Sequence, residues 1–456
     1  MMYKRYERYK DSGIEWIGEV PEHWKDYKIK RLFGLLGGNG FNESLQGKKE
    51  GDYPFYKVSD INYGNTVIEK AENYVDKKEV VANHWNIIPS ESIIMAKIGE
   101  ALRKNHRKIN KAECLIDNNM LALIPNELII TKWLAYYLFC IIDMEWFVNP
   151  GAVPSVNIRW FRNSSLKIMP IFEQKAIVNY LDHKTSEIDS LIADKEKLIE
   201  KLEEYKQSII TEAVTKGLDP NVKMKDSGIE WIGEIPEHWE MKKIKYLLKR
   251  KRNSIKVGPF GSQLTSEDMK HNSIKVYNQR NVYDKNFSIG ENYISLEKYG
   301  ELKSFTVYPG DILITTRGTI GKASIVPDNT EKGILHPCLM RIQVKENYAL
   351  PRLIEEIFNE TYLLFNQILY ESNATTIDVI YSETLKNLII PLPSYDEQEV
   401  ILKKIDESKE FYEGLIKKIQ NQVINLKQYR QSLIYEAVTG KIDVREYEPE
   451  RSEQLA

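Results

Sequence analysis

The sequence predicts an α+β protein: two mixed α/β domains separated by two long helices that form an antiparallel coiled coil, with a pseudo-twofold internal repeat. Three observations predict it. The block "KDSGIEWIGEVPEHW" at residues 10–24 returns as "KDSGIEWIGEIPEHW" at 225–239, differing only at Val20 against Ile235. Two stretches, 173–216 and 397–439, carry apolar residues at helical spacing. Between block and helix, the two copies differ in sequence yet keep the same order of short β-branched runs.

A block that recurs 215 residues later marks the duplication of a whole domain, not a short solenoid repeat. The predicted parts are a first domain over 1–169, a helix over 170–217, a second domain over 218–395, and a second helix with its tail over 396–456. A chain of 456 residues with 42% apolar content is long and apolar enough for two to four domains with real cores. No run of about 18 apolar residues occurs to span a bilayer, and the opening "MMYKRYERYKDSG" lacks the apolar region of a signal peptide, so a cytoplasmic location is expected. The scattered Cys114, Cys140 and Cys338 have no CxxC spacing and give no zinc site.

The helices follow from their seams. Residues 173–216 contain no Pro or Gly and place Ile177, Leu181, Ile188, Ile192, Ile199, Leu202 and Ile209 at spacings of three, four or seven. In 397–439 the seam reads Ile401, Ile405, Tyr412, Leu415, Ile419, Val423, Leu426 and Leu433. Glu173-Gln174 and Glu212-Ala213-Val214-Thr215 recur at one offset as Glu397-Gln398 and Glu436-Ala437-Val438-Thr439, so the helices have equal length. At about 1.5 Å per residue, roughly 40 residues give a rod of about 60 Å. Each charged helix needs an apolar partner, which favours mutual antiparallel pairing. Gly217 with Pro220 ends the first helix and Gly440 the second.

The domains repeat a strand plan. "YPFYKVSDIN" (53–62) parallels "IKVYNQRNV" (274–282), residues 87–109 parallel 306–326, and "NSSLKIMPIFEQ" (163–174) parallels "TLKNLIIPLPSYDEQ" (384–398). Each reads as short strands with turns, hence mixed domains with antiparallel sheet. The repeated frame is circular if "TGKIDVREYEPERSEQLA" at 439–456 lies beside the N-terminus. Trp16, Trp24, Trp231 and Trp239 are expected as core anchors at the junction of helix and domain, with His23 and His238 structural as well.

Net charge is −2, but it is segregated. Lys plus Arg against Asp plus Glu stands at 24 to 21 and 23 to 22 in the two domains, and at 7 to 10 and 10 to 13 in the helical segments. The domains therefore have room for local basic faces, which a nucleic-acid partner would need.

The block, "GDILITTRGTIG" (310–321), "IPLPSYDEQEVI" (390–401) and "QSLIYEAVTGKID" (431–443) together resemble the specificity subunit of type I restriction-modification enzymes, over essentially the whole chain. The resemblance implies that each variable domain is a target-recognition domain reading one half of a split double-stranded DNA site. It implies a coiled coil that acts as spacer and docks two modification subunits, adenine methyltransferases, with restriction motor-nuclease subunits joining them. S-adenosylmethionine, ATP and Mg are then expected on those partners and none on this chain. The other readings are a free-standing bipartite DNA-binding regulator, a coiled-coil scaffold, and the specificity chain of a related system that cuts on both sides of its site.

Catalysis by the chain itself is not expected. "NPGAVP" (149–154) does not supply the (N/D)PP(F/Y/W) motif of amino-methyltransferases, and "RGTIGK" (317–322) lacks both the leading glycine and the trailing Ser or Thr of a phosphate loop. Base readout calls for Arg, Lys, Asn and Gln on base edges, with Ser, Thr and Lys on phosphates. In the second domain the glycine loop 254–264 and the segments after two strands give Lys256, Ser262, Gln263, Asn278, Gln279, Arg280, Thr316, Arg317 and Thr319 as DNA-binding candidates. In the first domain, where "GLLGGNGFNE" (34–43) replaces that loop, they are Lys57, Ser59, Lys97, Arg103, Lys104 and Arg107.

Overall fold

The structure, a computed structural model, describes residues 4–15, 17–61, 66–149, 151, 153–372 and 379–448. The chain forms two compact units, one from Met1–Lys195 with Asn421–Ala456 and one from Glu196–Gln420. Each long helix, Ile171–Lys216 and Tyr395–Val438, contributes to both.

In the first unit the repeated block opens with a hairpin, Tyr9–Asp11 against Glu19–Pro21. Lys25–Lys28 then pairs with Ser165–Ile168, which leads straight into the first long helix. Between them lie a five-stranded sheet, ordered Phe33–Gly37, Met120–Pro125, Ile93–Ala96, Arg107–Asn110, Val67–Ile68, and a three-stranded sheet built around Tyr53–Tyr56. Ile93–Ala96 is buried along its whole length, as its unbroken apolar run requires of a strand covered on both faces.

The second unit repeats the plan. Met224–Asp226 pairs with Glu234–Pro236, and Glu240–Lys243 with Ile389–Leu392. One four-stranded sheet runs Ile255–Val257, Leu339–Ile342, Ile312–Thr315, Ala323–Ile325; the other runs Tyr293–Ile294, Ile274–Tyr277, Gly333–Leu335, Thr306–Val307. The three pairs of matching sequence segments therefore fall on matching strands.

Trp24 and Trp239 are fully buried, each in the core of its own unit. Trp24 lies in a cluster with Ile177 and Leu181 of the first helix and Leu433 and Ala437 of the second. Trp239 lies with Ile210 and Val214 of the first helix and Ile401 and Ile405 of the second. Trp231 is partly buried, and Trp16 lies outside the described residues. Two seam positions shift by one residue: Ile210 and Ile416 are buried where Ile209 and Leu415 were expected. Within each unit the helices run antiparallel. Arg430 pairs with Asp189 at 2.9 Å and Lys195 with Gln422 at 2.7 Å in the first, and Lys206 with Glu413 at 3.5 Å in the second.

The repeated Glu-Gln pair explains itself. Gln174, fully buried, accepts from Ile130 N and donates to Leu128 O and Met169 O; Gln398 does the same with Leu350 N, Tyr348 O and Pro393 O. Each amide ties the start of a long helix to the loop before a shorter one, satisfying backbone groups that burial would otherwise strand. Gly217 (φ 75°) and Gly440 (φ 73°) end the helices in the left-handed region. Beyond Gly440 the chain meets the N-terminal strand: Asp443 N donates to Lys4 O at 2.8 Å and Tyr9 Oη to Gly440 O at 3.0 Å. The expected closure of the frame is thus present in the first unit. Among the described residues no helix is long and apolar enough to cross a membrane.

Candidate nucleic-acid interface

In the second unit four strands end on one side of the fold. Ile255–Val257 gives way to Gly258, Ile274–Tyr277 to Asn278, Ile312–Thr315 to Thr316 and Gly333–Leu335 to His336. Backbone bonds hold these exits together: Gly258 N to Leu339 O, Thr316 N to Cys338 O and His336 N to Tyr277 O, each at 2.9 Å. Only glycine fits at 258, because a Cβ there would stand 2.1 Å from His336 O.

A short helix, Gln279–Tyr283, packs over the exits. Asn278 caps it, Oδ1 accepting from Arg280 N at 2.9 Å. From this helix Gln279 Nε2 donates to Arg317 O and Tyr283 Oη donates to Thr319 O at 2.8 Å. Two side chains thereby fix the backbone of the 317–319 turn, and Arg317 and Thr319 remain exposed. Ser262 and Gln263 are exposed on the glycine loop, where Gln263 Oε1 accepts from Phe260 N. Arg280 is exposed with Nε 3.2 Å from Asp284. Lys256 lies half-buried within its strand, its ammonium 4.3 Å above the Phe305 ring. Thr316 is 1% exposed, because the strand pairing continues through its backbone to Cys338 and Ile380. Its side chain is not presented to a ligand.

The first unit repeats these exits with other residues. Gly38 takes the place of Gly258: a Cβ would stand 1.9 Å from Asp117 O. Lys57 stands where Asn278 does and Lys97 where Thr316 does, each following the corresponding strand. Lys57 Nζ donates to Gln46 Oε1 at 2.6 Å and stands 5.8 Å from the Phe41 ring centroid, while Ser59, two residues on, is exposed. Beneath them Asp60, its carboxyl pushed up by burial, accepts from Lys57 N at 2.7 Å. Lys97 is half-buried.

The basic cluster at 103–107 has a different setting. Arg103 is exposed and bridges Glu100 and Glu145 at 3.2 and 2.9 Å, and Lys104 is exposed beside it. Arg107 turns inward, donating to Leu138 O, to Ile142 O at 2.8 Å and to Asn105 Oδ1 at 2.6 Å. It holds the last carbonyls of the helix Thr131–Ile141, and burial pulls its guanidinium down to about 10. That places it in a structural clamp and not on the surface with Arg103 and Lys104.

The sequence reading missed Gly38, and with it the match between the two glycine loops. It also missed Tyr283 and Gln46, which brace their loops. Their roles depend on which strand ends lie together, and no local pattern signals that. What the two clusters share is a set of donors on fixed loops, the equipment for contacting phosphates and base edges. Among the described residues no group of three His, Cys, Asp or Glu side chains could hold a metal ion.

Comparison with known proteins agrees with this duplicated plan. The chain is 27% identical over 444 residues to the putative type I restriction enzyme MjaX specificity subunit of Methanocaldococcus jannaschii, covering 94% of this chain and 96% of that one. It is 24% identical to the MjaVIII specificity subunit of the same organism, covering 98% of each chain. It is 23% identical to the EcoBI specificity subunit of Escherichia coli, covering 95% of this chain and 89% of that one. A solved chain from a study of complex assembly and conformational transition of the type I R-M system shares the fold, with a TM-score of 0.62 at 14% identity over 92% of this chain and 98% of that one. The family described as type I restriction modification DNA specificity domain matches twice, over residues 21–203 and 236–425, and the chain belongs to that family.

Proposed function

We propose that this chain is the non-catalytic targeting subunit of a type I restriction-modification system, recognising a bipartite, asymmetric double-stranded DNA site. One observation carries the reading. Within one chain, two units present the same strand exits around a glycine that admits no side chain, Gly38 and Gly258, but dress them with different residues. A common scaffold with unlike loops suits two readers of unlike half-sites, because base contacts specify while the frame positions. Ser262, Gln263, Gln279, Arg280, Arg317 and Thr319 serve one half, and Lys57, Ser59, Lys97, Arg103 and Lys104 the other. The frame, which differs between copies only at Val20 against Ile235 in its block and repeats its Glu-Gln pairs, docks two modification subunits, with restriction subunits joining them. S-adenosylmethionine, ATP and Mg belong to those partners, and the assembly works in the cytoplasm.

The test is co-expression of this chain with its candidate modification subunit and mapping of modified adenines across random DNA. Methylation confined to one asymmetric split motif of fixed spacing is expected, and exchange of residues 25–169 should change one half only. Methylation without this chain, or an unsplit motif with it, overturns the reading.

A further inference from the structure

The second unit carries a basic surface away from its loop cluster. Residues 241–256, "MKKIKYLLKRKRNSIK", hold eight Lys or Arg and no acid, whereas the matching stretch of the first copy, 26–41, holds three with one Asp. Three of these cations, Lys242, Lys243 and Arg250, line a groove of about 710 Å³ together with Tyr246, Lys345 and Tyr348, among others. Tyr246 is 57% exposed, and Lys245 stands 5.2 Å from its ring centroid.

The groove has a definite place. Ile255–Val257 pairs antiparallel with Leu339–Ile342, and the glycine loop and His336–Cys338 occupy one end of that pair. At the other end Lys249 N donates to Gln343 O and Lys345 N to Leu247 O, both at 2.8 Å. At about 3.3 Å per strand residue the two ends are separated by roughly 20 Å, the length of about six base pairs of duplex. Glu240 and Glu346 neutralise Lys242 and Lys249, at 2.8 and 2.6 Å. Among the described residues, Lys243, Lys245, Arg250, Lys251 and Arg252 have no carboxylate within ion-pairing distance. Of these, Lys243 and Arg250 line the groove, joined there by Lys345, and three cations without a carboxylate partner on its wall keep a positive field there for a polyanion.

We propose that this groove is a second, sequence-independent DNA-binding surface, which takes the phosphate backbone beyond the bases read by the loops of the same unit. The proposal rests on the reading of DNA as ligand. It assigns to the second unit an electrostatic hold apart from its loop cluster. A regularly spaced run of phosphates suits cations spread along strand and loop, and the hydroxyl of the exposed Tyr246 can bond to the same oxygens, while that of Tyr348 is held by Glu240 at 3.4 Å. An acidic protein surface is the competing occupant.

Salt dependence separates the cases, because each phosphate neutralised adds about 0.9 to the log–log slope of affinity against salt. The full chain would be titrated with a random duplex and with its own site, beside the triple variant Lys243→Gln, Arg250→Gln, Lys345→Gln and the charge-keeping triple Lys243→Arg, Arg250→Lys, Lys345→Arg. The neutral triple should lower the slope by about two to three on both DNAs, leave discrimination between them unchanged and melt like the wild type. The charge-keeping triple should restore the slope. An unchanged slope in the neutral triple overturns the proposal, and loss of a co-purifying partner with that unchanged slope assigns the groove to an acidic protein instead. If the wild type fails to discriminate its site, the targeting reading falls, while a reduced slope on random duplex still supports the groove.

Discussion

Both units hold the same block against the same Glu-Gln pair, yet they do not hold it equally. In the first, Glu173 is fully buried and accepts from Tyr6 Oη at 2.6 Å, His23 Nε2 at 2.7 Å and Trp24 Nε1 at 2.9 Å. In the second, Glu397 is 28% exposed and meets His238 Nε2 at 3.0 Å, and Trp239 Nε1, though buried, finds no acceptor among the described residues. Asn221 stands where the first copy has Tyr6. A repeated motif therefore fixes which residues are present, whereas the residues ahead of it decide how well they are satisfied. Further along, the imbalance reverses. Thr185 of the first helix is buried with its hydroxyl on Leu181 O, and at the matching point of the second helix Lys409 bridges Glu356 at 2.6 Å and Glu360 at 2.9 Å.

The sharpest way to break this comparison is at the tryptophans. Trp24→Ala and Trp239→Ala should each cost about 3–5 kcal/mol by chemical denaturation, since both side chains are fully enclosed. Phe at the same positions should separate them: Trp24→Phe also removes a donor from a buried carboxylate and should cost about 1.5–3 kcal/mol more than Trp239→Phe. Equal costs for the two Phe variants would erase the distinction between the units.

Next comes Lys409→Met, which leaves Glu360 without its ion-pair partner and Glu356 with Arg352 alone, at 4.0 Å, and should destabilise the second unit by about 3–5 kcal/mol. Burial pushes the Glu360 carboxyl up, but Lys409 outweighs it and holds it below the ordinary range. A carboxyl lowered on folding stabilises at pH above its unfolded value and loses that contribution as pH falls through the folded one. Acid titration of stability should thus be steeper in wild type than in the variant. A Thr185→Val change, at the matching point of the first helix, should leave the acid profile unaltered.

Gly38→Ala and Gly258→Ala follow, each about 1–3 kcal/mol, because the added methyl meets a carbonyl at about 2 Å. Each should weaken recognition of one half-site only, read by competition with half-substituted duplexes. Loss of both halves from one change would show that the loop clusters are not independent. Arg317→Ala should leave melting unchanged and cost about 1–3 kcal/mol of discrimination in the second unit's half-site alone.

How much of this was legible in the sequence depends on whether the cause is local. The block, the helix lengths and the Glu-Gln pairs could be read, because each rests on spacing within one segment. The loop clusters could be read only in part. Gly38 meets Asp117, and Arg107 reaches carbonyls at 138 and 142, so their settings follow from strand order and helix placement. Thr316 looked like a loop residue after "GDILIT", and pairing carried through its backbone buried it. The basic run at 241–256 was not picked out from the sequence, and its separation from the glycine loop follows from the pairing of Ile255–Val257 with Leu339–Ile342.

The closure of residues 440–448 on the N-terminal strand also sets an order of events during synthesis. The second unit is one uninterrupted stretch, Glu196–Gln420, and has every residue it needs once position 420 has left the ribosome. The first unit cannot finish then. The core around Trp24 includes Leu433, Ala437, Val438, Ile442 and Val444, the last of them made some 400 residues after the block they enclose. Translation normally lets the N-terminal domain fold first. In this chain the half made first is the half completed last, because its core waits for residues 433–444.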